Sequence, residues 1–116
     1  METGIKAGIA VVGVLVVGYF VFLRGNRVSG AEARSLVEHG ARLVDVRTPE
    51  EFAAGHIPGA VNVPVQSLDG RFGELGPKDR PVVLYCQSGM RSGRAARMLR
   101  SAGFASVHNL GGMSRW

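Results

Sequence analysis

The sequence contains a single cysteine, Cys86, and this scarcity excludes several kinds of site. One cysteine cannot form a disulfide bond within the chain, and structural zinc sites usually take at least two cysteines. The three histidines do not stand at metal-ligand spacing from one another or from Cys86. We therefore expect no bound metal and no other cofactor.

Aromatic residues are also scarce, since the chain has one Trp, two Tyr and five Phe. The 14 Lys and Arg outnumber the 9 Asp and Glu, which gives a formal net charge of +5. Nucleic-acid-binding proteins combine basic clusters with reader motifs or with aromatic side chains that stack on bases. Neither combination occurs in this sequence, so nucleic acid is not predicted as a partner.

Charged residues are missing altogether from residues 7–23, a segment rich in Val and Gly that has basic residues on both sides. A helix of this length is about 25 Å long, close to the hydrocarbon thickness of a bilayer. We predict that residues 7–23 form a transmembrane helix and that residues 1–27 are an N-terminal membrane anchor. Residues 28–116 are long enough for one small domain.

Two other interpretations of the apolar segment fit its surroundings less well. A cleaved signal peptide has small residues soon after its apolar region, but Arg24, Asn26 and Arg27 intervene here. An all-apolar core helix would need more protein around it than so short a chain provides. Three positive groups follow the segment (Arg24, Arg27 and Arg34) and two precede it (Lys6 and the terminal amine), so the positive-inside rule predicts a single-pass protein with its domain in the cytoplasm.

Strand and helix patterns alternate along residues 28–116. Two helix starts carry capping boxes, one formed by Ser29 and Glu32 and one by Thr48 and Glu51. Segment 81–86 is apolar without alternation, which is typical of a strand covered on both faces. The other predicted strands are 28, 42–46, 60–64 and 106–110, and the other helical segments are 67–75 and 92–102. Alternation of this kind predicts an α/β fold with a mostly parallel sheet of about five strands and helices on both faces.

Cys86 stands at the carboxyl end of the most apolar strand, just before a helix, where parallel sheets bind ligands. Gly89 can adopt positive φ and turn successive backbone N–H groups inward. Together with the free N–H groups of the next helix, these would form an anion-binding bowl. A thiol beside such a bowl ionises readily, which predicts a nucleophilic cysteine rather than a buried, inert one.

Three ordered motifs carry a resemblance to a known family. "DVRTPEEFAAGHIPGAVNVP" (45–64), "CQSGMRS" (86–92) and "VHNLGGMSRW" (107–116) resemble the motifs of the rhodanese family, the sulfurtransferases. The resemblance extends from about residue 28 to the end of the chain. It implies the three-layer rhodanese-like fold.

The resemblance also implies a reaction. The Cys86 thiolate would take a sulfane sulfur from a small anionic donor such as thiosulfate, carry it as a persulfide and pass it to a thiol or protein acceptor. The donor would be bound by the loop residues Gln87, Ser88, Gly89, Met90, Arg91 and Ser92. Arg91 would face the donor's anionic end or brace the loop. Asp45 and Arg47, at the end of a neighbouring strand, are expected to orient the loop by hydrogen bonds, and His56 is expected to be structural.

Two alternatives remain open from the sequence. One is a phosphatase or arsenate reductase of similar fold. Such enzymes have one residue more between the cysteine and the arginine of the loop than the four between Cys86 and Arg91 here. The shorter loop forms a smaller bowl, which suits a sulfur better than a tetrahedral oxyanion. The other alternative is a membrane-anchored binding or persulfide-carrier module without turnover. The intact Cys86 loop favours the enzyme.

Overall fold

The computed structural model describes residues 27–116, so the transmembrane helix predicted at residues 7–23 lies outside the described residues. No helix between residues 27 and 116 is long and apolar enough to cross a membrane. The elements follow one another as α1 (Gly30–Glu38), β1 (Arg42–Asp45), α2 (Pro49–Ala54), β2 (Val61–Asn62), β3 (Val82–Cys86), α3 (Met90–Ser101) and β4 (Val107–Gly112). Short 3₁₀ helices cover Val65–Gly70, Phe72–Leu75 and Met113–Arg115.

The strands are parallel and lie in the order β2-β1-β3-β4. All five residues of β3 are buried, as its unbroken apolar sequence predicts for a strand covered on both faces. The chain builds outward from β1 in one direction to β2 and in the other to β3 and β4. Ligands bind at the carboxyl ends of the strands where the order reverses in this way. That point lies between β1 and β3, beside Asp45 and Cys86.

Within residues 27–116 the sheet has four strands rather than the expected five. Near Val28 the described part of the chain makes a single isolated parallel bridge, between Arg27 and Asn109, and the Val28 N–H donates to the Asn109 carbonyl at 2.9 Å. Ser29 then caps α1, which begins at Gly30. Because the helix starts so soon after the bridge, residues 27–29 are too few to continue a ladder. The prediction of about five strands was therefore wrong by one.

Side chains of β3 point alternately into two apolar clusters, one on each face of the sheet. Val82, Leu84 and Cys86 pack with α3 and the neighbouring 3₁₀ helices. Val83 and Tyr85 pack with α1 and the C-terminal segment on the other face. Because both faces are covered, the domain has the predicted three layers.

Both predicted helix caps are present. At α2, Thr48 and Glu51 exchange the two hydrogen bonds of a capping box. At α1, Ser29 Oγ accepts from the Glu32 N–H at 3.1 Å, but the Ser29 hydroxyl is paired with the Glu32 carboxylate instead of that carboxylate accepting from the backbone. The cap residues identified in the sequence therefore located both helix starts.

Helix α3 begins at Met90, two residues before the predicted start at 92. Its N-cap is Gly89, whose φ of 104° lies in the left-handed region that glycine adopts without strain. The helix therefore begins directly after the turn. Its free N–H groups consequently lie closer to Cys86 than the sequence pattern indicated.

Candidate active site

Cys86 ends β3 with its side chain fully buried. Its Sγ accepts a hydrogen bond from the Gly89 N–H at 2.9 Å and lies 3.5 Å from the Ser92 Oγ. The positive φ of Gly89 turns the loop back over the strand end, which brings that N–H onto the sulfur. Ser92 is itself buried, and its hydroxyl also lies 3.2 Å from the Gly89 carbonyl. The loop therefore closes around the sulfur by local contacts.

Two opposing effects determine the pKa of Cys86. Burial raises it, because a buried thiolate loses its hydration. The Ser92 side chain and the backbone N–H groups of Ser92, Gly89 and Ser88 lower it, because they stabilise the anion. The combined effect of the hydrogen bonds is larger than that of burial, so the pKa of Cys86 is below its usual value. These are the properties of a nucleophilic cysteine rather than an inert one.

Arg47 and Asp45 form a buried ion pair beside this loop. The Arg47 guanidinium donates to the Asp45 carboxylate from Nε and from Nη2, the latter at 2.7 Å. Its Nη1 donates to Gln87 Oε1 at 3.3 Å, and its Nη2 also donates to the Gly55 carbonyl at 2.6 Å. The structure thus places Arg47 between the first residue of the cysteine loop and the segment after α2.

Arg91 makes a bidentate ion pair with Glu51 of α2, at 2.6 and 2.9 Å. Hydrogen bonding from Arg91, followed by that from the Thr48 backbone, lowers the pKa of Glu51 to about 2. Of the two roles considered for Arg91, the geometry shows the brace. Sequence reasoning missed Glu51 as a partner of the loop, because its place in a capping box already accounted for it. Glu51 both completes the capping box of α2 and pairs with Arg91.

Glycines at the end of β4 allow the loop to lie against the strand's backbone. A Cβ on Gly112 would lie 3.0 Å from the Gln87 carbonyl oxygen, and one on Gly89 would lie 3.5 Å from the Cα of Gly111. Any side chain at Gly112 would therefore push the loop away. The sequence pattern offered only the pair of glycines in the closing motif as a sign of this contact.

The remaining predicted residues are spread around the loop's rim. Gln87, Ser88 and Met90 are exposed, and the Met90 side chain is 84% exposed. His56 stacks on the ring of Phe52 at 3.6 Å, and its Nδ1 is hydrogen-bonded to the Phe52 carbonyl. These contacts hold His56 on the end of α2, as expected for a structural residue.

A comparison with known protein families matches residues 29–116 to the rhodanese-like domain. The chain belongs to this family. It is 40% identical over 102 residues to the human thiosulfate:glutathione sulfurtransferase, with 76% of this chain and 89% of the human protein covered. It is 51% identical over 77 residues to a Bacillus subtilis protein named only as uncharacterized protein YqhL, with 66% of this chain and 60% of that protein covered. The chain therefore spans less than two thirds of YqhL.

Solved structures support the same rhodanese-like assignment. The human single-domain sulfurtransferase TSTD1 superimposes with a TM-score of 0.67 at 35% sequence identity. The match covers 78% of this chain and 91% of the human chain. The family predicted from the three motifs is thus confirmed, and several of its members that resemble this chain are named sulfurtransferases.

Replacing Ser92 with alanine should raise the pKa of Cys86, because the thiolate loses a donor while burial still opposes its charge. We expect the pH midpoint for alkylation by iodoacetamide to move to higher pH. Ser88→Ala is the matched control, since it keeps the backbone N–H and its exposed hydroxyl makes no hydrogen bond within residues 27–116. Equal midpoints in the two variants would show that the Ser92 hydroxyl does not stabilise the thiolate.

The Glu51→Gln variant should be less stable than the parent at neutral pH. The folded pKa of Glu51, about 2, is below its ordinary 4.5, so its pairing adds stability above pH 4.5 that is lost as the pH falls toward 2. The difference in urea midpoint between parent and variant should therefore narrow over that pH range. Glu50→Gln, at an exposed position of the same helix, controls for charge in the first turn. An equal loss in Glu50→Gln would rule out the Arg91 pair as the cause.

Proposed function

We propose that this protein is a sulfurtransferase that carries a sulfane sulfur as a persulfide on Cys86. The observation that carries the proposal is the buried thiol with a lowered pKa, held by the N–H of Gly89 and the hydroxyl of Ser92. These groups stabilise a thiolate before reaction and a persulfide anion after it. The names of the relatives support the same chemistry.

The first half-reaction transfers one sulfur to the enzyme. The Cys86 thiolate attacks the outer sulfur of thiosulfate, and a new S–S bond forms at Cys86 Sγ. The S–S bond of thiosulfate breaks, and sulfite leaves with the electron pair. Charge is conserved, because thiolate and thiosulfate become persulfide anion and sulfite without any proton transfer.

The second half-reaction returns the enzyme to its starting state. An acceptor thiolate attacks the outer sulfur of the persulfide, and Cys86 leaves as the thiolate that its hydrogen bonds favour. The human relative is named for thiosulfate and glutathione. Thiosulfate and a small thiol are therefore the first donor and acceptor to test with this chain.

Intact-mass analysis of the full chain tests the covalent step. After exposure to thiosulfate the protein should gain one sulfur, on the order of 32 Da, and addition of glutathione should remove it. Cys86→Ser should gain nothing, whereas Ser101→Ala, at an exposed position at the far end of α3, should behave as the parent. A parent without any adduct would refute the proposal. An adduct that glutathione and other thiols do not discharge would favour the persulfide-carrier alternative.

We also propose that residues 7–23 anchor the protein in a membrane with its domain on the cytoplasmic side. Support comes from the sequence alone: an apolar segment of spanning length with an excess of basic residues after it. In the cytoplasm, the reducing environment would keep the single thiol available for reaction. The anchor would place sulfur transfer at the membrane surface.

The full chain should remain in the membrane fraction after high-salt and alkaline carbonate washes, because a spanning helix is held by apolar burial. Changing Val14 and Val17 to Arg should release it, since each central arginine costs about 3 kcal/mol on insertion. An impermeant thiol reagent should label Cys86 only after the cells are opened. Release of the parent by carbonate, or a mature N-terminus near Ala31, would contradict the anchor.

A further inference from the structure

We infer that Arg27 is the residue that binds the anionic, sulfonate end of the sulfur donor and so selects anionic donors. The inference rests on the proposed sulfurtransferase function and adds a specificity-determining residue to it. In the sequence, Arg27 was only one of the basic residues that follow the apolar segment. The structure places it at the cysteine loop.

The guanidinium of Arg27 lies against the loop beside Gly89. A Cβ on Gly89 would come within 3.1 Å of Arg27 Nη2, and one on Gly111 would come within 3.8 Å of Arg27 Nε. The Arg27 side chain therefore lies beside both glycines, and at Gly111 it shares this space with the Arg115 side chain. Gly89 is the residue whose N–H donates to Cys86 Sγ. The cation thus lies against the same residue whose N–H donates to the sulfur.

The backbone holds Arg27 in this position. It forms a parallel bridge with Asn109, and the next N–H, that of Val28, donates to the Asn109 carbonyl at 2.9 Å. The Arg27 residue itself is exposed. A fixed Cα with an exposed side chain lets the guanidinium turn toward a bound anion without any backbone movement.

The other arginines at the loop are already occupied. Arg47 is paired with Asp45 and Arg91 with Glu51, so a carboxylate neutralises each of these charges. Arg115, which also lies beside Gly111, donates to the carbonyls of residues 110 and 28. Within residues 27–116, Arg27 makes no hydrogen bond or ion pair, so its charge is available to a ligand.

The geometry of the donor fits this arrangement. When the outer sulfur of thiosulfate meets Cys86 Sγ, its sulfonate lies one S–S bond farther out, about 2 Å, toward the mouth of the loop. A guanidinium beside Gly89 can then donate two parallel hydrogen bonds to the sulfonate oxygens. The loop N–H groups would bind the transferred sulfur, and Arg27 would bind the group that leaves.

Donor kinetics of the full chain test this assignment. In Arg27→Gln, kcat/KM for thiosulfate should fall about fivefold to tenfold, mainly through KM, as expected for loss of one partly exposed charge beside a dianion. The loss should be smaller with methanethiosulfonate, which carries one negative charge less. Arg27→Lys should keep part of the kcat/KM for thiosulfate that Arg27→Gln loses. Arg97→Gln, which removes another exposed arginine without a partner in residues 27–116, should match the parent.

Binding without turnover separates this inference from the proposed function. In a Cys86→Ser background, calorimetry should show that Arg27→Gln weakens thiosulfate binding by a similar factor, while Arg97→Gln does not. If the parent forms no persulfide but Arg27 still controls this binding, the sulfurtransferase function fails and the anion site stands. Unchanged KM and unchanged binding in a folded Arg27→Gln, or no thiosulfate binding by Cys86→Ser itself, would overturn the role of Arg27.

Discussion

The main constraint on the cysteine loop is that a buried sulfur must stay in contact with hydrogen-bond donors. Cys86 is fully removed from solvent, and burial alone would suppress its ionisation. The loop reverses this effect by turning the Gly89 N–H onto Sγ and by placing the Ser92 hydroxyl 3.5 Å from it. Such a turn needs the left-handed conformation of Gly89 and the close approach that Gly112 permits. The backbone shape of the loop therefore determines the chemistry of the thiol.

Two ion pairs connect this loop to the first family motif. Arg47 pairs with Asp45 in the interior, and Arg91 pairs with Glu51 at the half-buried rim. Because a buried charge without a partner is costly, each arginine is useful as a brace only together with its carboxylate. The pairing also neutralises both cations. Neither cation is then free to pair with an anionic donor, whereas Arg27 lies beside Gly89 without a carboxylate partner in residues 27–116.

Much of the domain could be predicted because its patterns are local. The N-cap residues Ser29 and Thr48 located two helices, and the unbroken apolar run at 81–86 located the central strand. Prediction failed where a neighbouring element determines where a strand or helix begins or ends. The segment at Val28 makes a single bridge, since α1 follows at once. Helix α3 starts at Met90 because the Gly89 turn ends there, whereas the apolar face that marked the helix begins later.

The sequence by itself determined the α/β order of elements and the place of Cys86 at a strand end before a helix. Those features depend on residues near one another in the chain, so local spacing encodes them. Only the tertiary structure decided which charges meet. Glu51 and Arg91 are 40 residues apart, and Arg27 reaches the loop from the N-terminal end of the domain's sequence. Such contacts arise when parallel crossovers bring distant segments to one edge of the sheet, and no local pattern specifies the partner.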